Sequence, residues 1–175
     1  PPAPHVILGL DPGSGLMGYG VVEVRGATLR AVAHGAVSTP STLSLPQRLL
    51  LIFDELTAII ERAQPESVAV ESLFFNANAR TALAVGQARG VALLACARSG
   101  CEVFEYSPQQ VKQGVAGYGK ADKRQVQDMV KLLLGLEEIP RPDDAADALA
   151  VAICHANSLG LRERLAARQS RESTR

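Results

Sequence analysis

"HVILGLDPGSGLMGYGVVEV", residues 5–24, is the stretch on which the fold turns. Residues 5–10 are a short apolar run, the pattern of a buried strand, and the run stops at Asp11. "PGSGLMG" then supplies Pro/Gly turn chemistry. "YGVVEV" (19–24) and "LRAVAHGAVST" (29–39) read as two further strands, which makes an antiparallel meander.

Beyond the meander the pattern changes period. A helix is expected from about Pro46 to Gln64, with Ser44 as its cap and apolar positions Leu49, Ile52, Phe53, Leu56, Ile59 and Ile60 recurring at three and four. "SVAVES" (67–72) reads as a strand, 78–99 as a long Ala- and Gly-rich helix stopped by Gly100, and "CEVFEY" (101–106) as the fifth strand. Ser107 and Pro108 open a short helix to about Val115, "GVAGYGK" (114–120) is a loop, and 122–135 is another helix. "RPDD" opens a last helix ending near Gly160. The remainder, 161–175, has five arginines against two glutamates and reads as a disordered basic tail. The order β-β-β-α-β-α-β-α-α-α predicts one α/β domain over 1–160, built on a mixed five-stranded sheet flanked by helices. Right-handed crossovers place strand 67–72 parallel to strand 5–10.

Composition narrows the class without naming a function. The chain has 175 residues, 47% hydrophobic and 21% charged, as a water-soluble globular domain does. Eighteen basic residues balance eighteen acidic ones, so overall charge gives a nucleic-acid partner no support, and local clusters must carry that case. Cys96, Cys101 and Cys154 show no metal-binding spacing. Their odd number, without a secretory signal, points to reduced thiols and a cytoplasmic location.

The informative residues are acids. Asp11 ends the first strand and Glu71 lies near the end of the fourth, so parallel neighbours would present both at one sheet edge, where α/β sheets usually bind ligands. In "RPDDAADALA" (141–150), Asp144 and Asp147 are three apart and Asp143 and Asp147 four apart, so either pair can share a helix face. Acids in a first helical turn also simply favour the helix dipole, and "DPG" at Asp11 is a common turn. Against those plain readings stands the number of carboxylates. Four of them suit hard divalent cations. Two such ions would balance four negative charges and serve phosphodiester chemistry.

"ILGLDPGSGLMGYGVV" (7–22), "VAVESLFF" (68–75), "GQARGVA" (86–92), "YSPQQVKQGVAGYGKADKRQVQ" (106–127) and "DDAADALAVAICH" (143–155), in this order, resemble the RuvC family of bacterial crossover-junction endodeoxyribonucleases. The resemblance covers about residues 5–158. It implies a ribonuclease H-like fold and a homodimer through helix 78–99. The implied activity is resolution of Holliday junctions in recombination and DNA repair, by metal-dependent paired nicks that leave 5′-phosphate and 3′-hydroxyl ends. The implied cofactor is Mg²⁺ or Mn²⁺, two ions per site, and the implied partners are four-way junction DNA and the branch-migration proteins RuvA and RuvB. By the same resemblance the catalytic and metal-binding acids are Asp11, Glu71, Asp144 and Asp147, which selects Asp144 over Asp143, and Lys112 joins the catalytic set.

The resemblance also assigns DNA contacts. Phe74 would stack on a base, with Phe75 packed inside, and base–aromatic stacking is worth about 1–3 kcal/mol. Lys112 and Lys123 would meet phosphate. Lys120, Tyr118, Arg80 and Ser14 are further candidates. A solvated helix face is the ordinary reading of the 110–131 charges, where five cations face two aspartates. Gly13, Gly15, Gly18 and Gly20 would keep bulk away from Asp11, partly as turn residues and partly to clear room for ions and phosphate. His155 reads as a packing residue.

Three rival functions share parts of this pattern. An actin/sugar-kinase-type ATPase shares an Asp-x-Gly after a strand but needs two related lobes, and this chain has no repeat. A junction-binding module without catalysis would not need four acids. A ribonuclease for RNA–DNA hybrids is disfavoured by "GQARGVA" and "DAADALA".

Overall fold

A computed structural model of the protein describes residues 4–13, 15–72 and 79–172, with the side chains of 79–81 and 162–172 outside that description. Five strands and five helices follow the expected order. They are β1 (His5–Asp11), β2 (Leu16–Arg25), β3 (Thr28–Ser38), α1 (Leu45–Ala63), β4 (Ser67–Glu71), α2 (Ala79–Arg98), β5 (Glu102–Tyr106), α3 (Pro108–Ala116), α4 (Lys123–Leu133) and α5 (Asp143–Glu172). The sheet order is β3-β2-β1-β4-β5. β1 runs antiparallel to β2 and parallel to β4, and β4 runs parallel to β5.

Strand alternation splits the core in two. Leu8, Leu10, Val68 and Val70 point to one face, against Ile52, Leu56, Ile59 and Ile60 of α1 and Ala88, Ala92 and Ala95 of α2. Ile7, Val22 and Ala69 point to the other, against Leu149 and Ile153 of α5, Val111 and Val115 of α3, and Val126 and Val130 of α4. From Ala148 to Cys154, α5 is buried on every side. That is why its sequence is nearly all apolar and shows little amphipathic period.

Two expectations need correction. β2 begins at Leu16, three residues ahead of Tyr19, because Asp11 pairs with Gly18 and Leu16 with Ser38. At the other end, α5 does not stop at Gly160. Its backbone stays helical to Glu172, where the sequence reading places a disordered tail from 161. "LRERLAARQSRE" consists mostly of strong helix formers, and one internal glycine costs only about 1 kcal/mol. Among the described residues, no helix is long and apolar enough to cross a membrane.

Candidate active site

Register places the first two acids. Asp11 sits opposite Gly18, Leu10 opposite Val70, and Glu71 opposite Tyr106. Gly18, Asp11, Glu71 and Tyr106 therefore form one row across the sheet, and paired residues share a face. It is the face that α5 covers.

Glycines set how closely α5 can lie. A Cβ on Gly9 would meet the Ala148 carbonyl, with the Ala152 nitrogen 2.9 Å away; one on Gly20 would lie 2.7 Å from the Leu149 side chain. A Cβ on Gly18 would collide with the Asp144 carbonyl. The helix backbone thus rests on β1 and β2 with nothing between, and its first turns reach the edge where Asp11 emerges. Gly18 and Gly20 make room for the helix, a role that the sequence reading did not give them. A Cβ on Gly13 would meet the Leu16 carbonyl, so that glycine serves the turn. Gly9 was missed, although a lone glycine inside an apolar strand is itself a sign of close backbone approach.

Electrostatics show which acids share a space. The Asp11 carboxyl is pushed up to about 7, first by burial and then by the charges of Asp147, Glu71 and Asp144, with Lys123 pulling the other way. Glu71 is raised by burial and by Asp147, and lowered by Lys112 and Lys123. Asp147 is raised by burial and by Asp143 and Asp144, while its hydrogen bond with Lys123 opposes the shift. The structure thus brings Asp11, Glu71, Asp144 and Asp147 into one electrostatic cluster. Such acids repel by about 4 kcal/mol per pair at 4 Å and an effective dielectric near 20. Burial of Leu149, Ile153 and Val151 on α5 opposes this at about 2 kcal/mol each. The apolar turns therefore hold the acidic turns in place.

The two outermost acids of α5 part company. Asp143 accepts a 2.7 Å hydrogen bond from Arg141 and pairs with Lys123 at 3.3 Å, and Lys123 holds its carboxyl below the usual range. Asp144 instead lies over Gly18 and acts on Asp11. Spacing could not separate them; the partners do.

The lysines come from capped helices. Ser107 accepts from the Gln110 N–H at 3.2 Å and fixes the start of α3, whose Lys112 lines a cavity of about 190 Å³ together with Glu71, Lys123 and Asp147. Asp122 accepts from the Gln125 N–H at 2.8 Å and fixes α4, which opens with Lys123. Lys123 Nζ lies 3.1 Å from Asp147 Oδ2 and 3.3 Å from Asp143 Oδ2. Burial works against its charge, but the hydrogen bonds and charges of Asp147 and Asp143 prevail and raise its pKa. A larger cavity, about 420 Å³ between α3 and α5, is lined by Gln109, Gln110, Gln113 and Asn157 and carries no ionised acid or base. The smaller cavity is the one that gathers ionisable side chains.

Tyr118 is exposed and donates to Gln125 Oε1 at 2.6 Å, and Lys120 lies on the same exposed α3–α4 loop. Ser14 and Phe74, with Phe75, lie outside the described residues, as does the side chain of Arg80. His155 is wholly buried, 2.7 Å from the Tyr106 hydroxyl and 3.0 Å from Ser67 Oγ, so it packs α5 onto β4 and β5.

The four clustered acids offer only carboxylate oxygens, the set that hard divalent cations take. Their repulsion is what such a charge would relieve, so the residues fit the ion. Among the described residues, no three of them converge tightly enough to enclose an ion as they stand.

Comparison with known proteins places this geometry. The family model described as "Crossover junction endodeoxyribonuclease RuvC" matches residues 7–155. The chain is 62% identical to the RuvC of Rubrobacter xylanophilus over 154 residues, 88% of this chain and 86% of that one. Among solved structures it resembles Thermus thermophilus RuvC, with a TM-score of 0.83 and 40% identity over 89% of this chain and 96% of that one. It resembles T. thermophilus RuvC in complex with Holliday junction substrate with a TM-score of 0.86 at 40% identity, over 90% of this chain and 96% of that one. The acids on β1, β4 and α5 thus stand on a mixed sheet shared with these relatives, and the chain belongs to the RuvC family of crossover junction endodeoxyribonucleases.

Proposed function

We infer that this chain resolves Holliday junctions by nicking two opposed strands symmetrically, with Asp11, Glu71, Asp144 and Asp147 as the residues that hold its metal. The observation that carries the reading is geometric: β1 and β4 bring Asp11 and Glu71 to one sheet edge, α5 lies on that edge with Asp144 and Asp147, and burial first, then the charges of the other three acids, raises the Asp11 carboxyl to about 7. Mg²⁺ or Mn²⁺, two ions per site, would neutralise four carboxylates and supply an activated water together with a stabilised leaving oxygen. In the reaction water attacks phosphorus, the P–O3′ bond breaks and the 3′-oxygen takes a proton, which leaves 5′-phosphate and 3′-hydroxyl ends. Lys112, beside Glu71 in the same cavity, offsets charge on the phosphate as it develops.

DNA contacts would come from Lys112, Lys123, Lys120 and Tyr118 on the α3–α4 side, with Phe74, Arg80 and Ser14 on the segments flanking the acids. The assembly is a homodimer through α2. Leu83 and Leu94 are 65% and 59% exposed on that helix, and between them the Cα atoms of Gly86 and Gly90 face open space. A two-fold dimer matches the pseudo-two-fold symmetry of a four-way junction and offers one site to each cut strand. RuvA and RuvB are the proposed branch-migration partners, and the cytoplasm the proposed location.

The test is a mobile four-way junction incubated with the protein and a series of divalent ions, the products resolved on a denaturing gel. Symmetric nicks are expected with Mg²⁺ or Mn²⁺. Asp147→Asn should bind the junction and not cut it. Failure to nick with either ion would remove the catalytic reading.

A further inference from the structure

Lys123 holds a position that the reading above does not explain. A lysine meant only for phosphate would extend into solvent, and this one is 55% exposed and free to do so. Instead its ammonium bridges Asp143 and Asp147, which are four residues and one turn apart on α5. Only one of these two acids belongs to the proposed metal set. Asp143 is the other, and it is already anchored by Arg141 at 2.7 Å. The bridging cation therefore has one foot on a ligand and one on a non-ligand.

We propose that Lys123 and Asp143 form a cation-exchange pair for the active site: Lys123 occupies the Asp147 carboxylate until a divalent ion takes it, and Asp143 then retains the displaced ammonium beside the pocket. The proposal rests on the metal reading of the site and adds its regulation. No bond is made or broken; one positive charge replaces another on Asp147. The displacement follows from charge, since an ion on Asp147 repels an ammonium at contact distance while Asp143 still attracts it. Retention on Asp143 leaves the ammonium one helical turn from Asp147.

The experiment measures Mn²⁺ binding to the 175-residue chain by titration calorimetry, without DNA and therefore without turnover. Four proteins are compared: the parent, Lys123→Gln, Asp143→Asn and the double variant. Lys123→Gln should bind Mn²⁺ about tenfold more tightly, the equivalent of one removed competing charge pair. It should also melt at a lower temperature without metal, because Asp143 and Asp147 lose their partner. Asp143→Asn should weaken Mn²⁺ binding severalfold in the parent and less than about twofold in the Lys123→Gln background, since the receptor matters only while there is a lysine to receive. Equal weakening in both backgrounds would mean that Asp143 acts through its charge alone, and would overturn the proposal. Unchanged affinity in Lys123→Gln would overturn it too. In either case Mn²⁺ binding and junction cleavage by the parent would survive, whereas failure of the metal reading would remove both.

Discussion

Asp11 holds a proton that the unfolded chain gives up near pH 4, because burial and then Asp147, Glu71 and Asp144 move its carboxyl to about 7. Between those values the folded state binds more protons than the unfolded state. Metal-free stability must therefore fall as pH rises from about 4 to 7 and level off above. Glu71 and Asp147, both raised, add to the same sign. Melting temperatures in chelator should drop from pH 5 to pH 8. Asp11→Asn should remove most of that slope and gain up to about 4 kcal/mol at pH 8. A slope untouched by the substitution would place the proton on another group. Saturating Mn²⁺ should reverse the trend, since ligands must be deprotonated to bind. At this scale much was legible from sequence. Asp11 and Glu71 follow from strand ends, but spacing alone left Asp143 and Asp144 equivalent. What separates them is contact with Arg141 and Lys123 on one side and Gly18 on the other, and those residues lie from 2 to 126 positions away.

The seat of α5 on β1 and β2 has no slack. Gly9→Ala would drive a methyl into the Ala148 carbonyl, and Gly18→Ala into that of Asp144. Overpacking of this kind costs about 1–3 kcal/mol, and the helix must shift to absorb it. Gly18→Ala should therefore cut junction cleavage much more than junction binding, because the acids of α5 move against those of the sheet. Gly86→Ala, whose Cβ meets open space within one chain, should raise the stability of the single chain by up to about 1 kcal/mol, the gain of alanine over glycine inside a helix, and any cost should appear only in the proposed α2 interface. Thermal melts beside single-turnover rates check both, and equal losses of binding and cleavage in Gly18→Ala would contradict the argument. Element types, the meander and the parallel pairing of β1 with β4 were readable from apolar period and crossover handedness, whereas the edge position of β5 was not drawn from them. The start of β2 was not, because glycines at a hairpin look like turn whether or not they pair. The end of α5 was not either, because Gly160 carries a stop signal that its strongly helical neighbours override.

The proposed dimer through α2 is tested on the assembly as a whole. Leu83→Glu together with Leu94→Glu should shift sedimentation toward a monomer and replace paired nicks by single ones, with the monomer's melting temperature little changed. A dimer that survives both charges would move the interface elsewhere. The order of the acids along the chain has its own consequence. Asp11 stands on the first strand and Asp147 on the last helix, with the central pairing of β1 and β4 closed between them. A ribosome delivers these parts more than a hundred residues apart. A half-made chain can complete its early hairpin and still hold only part of the proposed acid set, so on that reading the power to cut DNA arrives with the final helix.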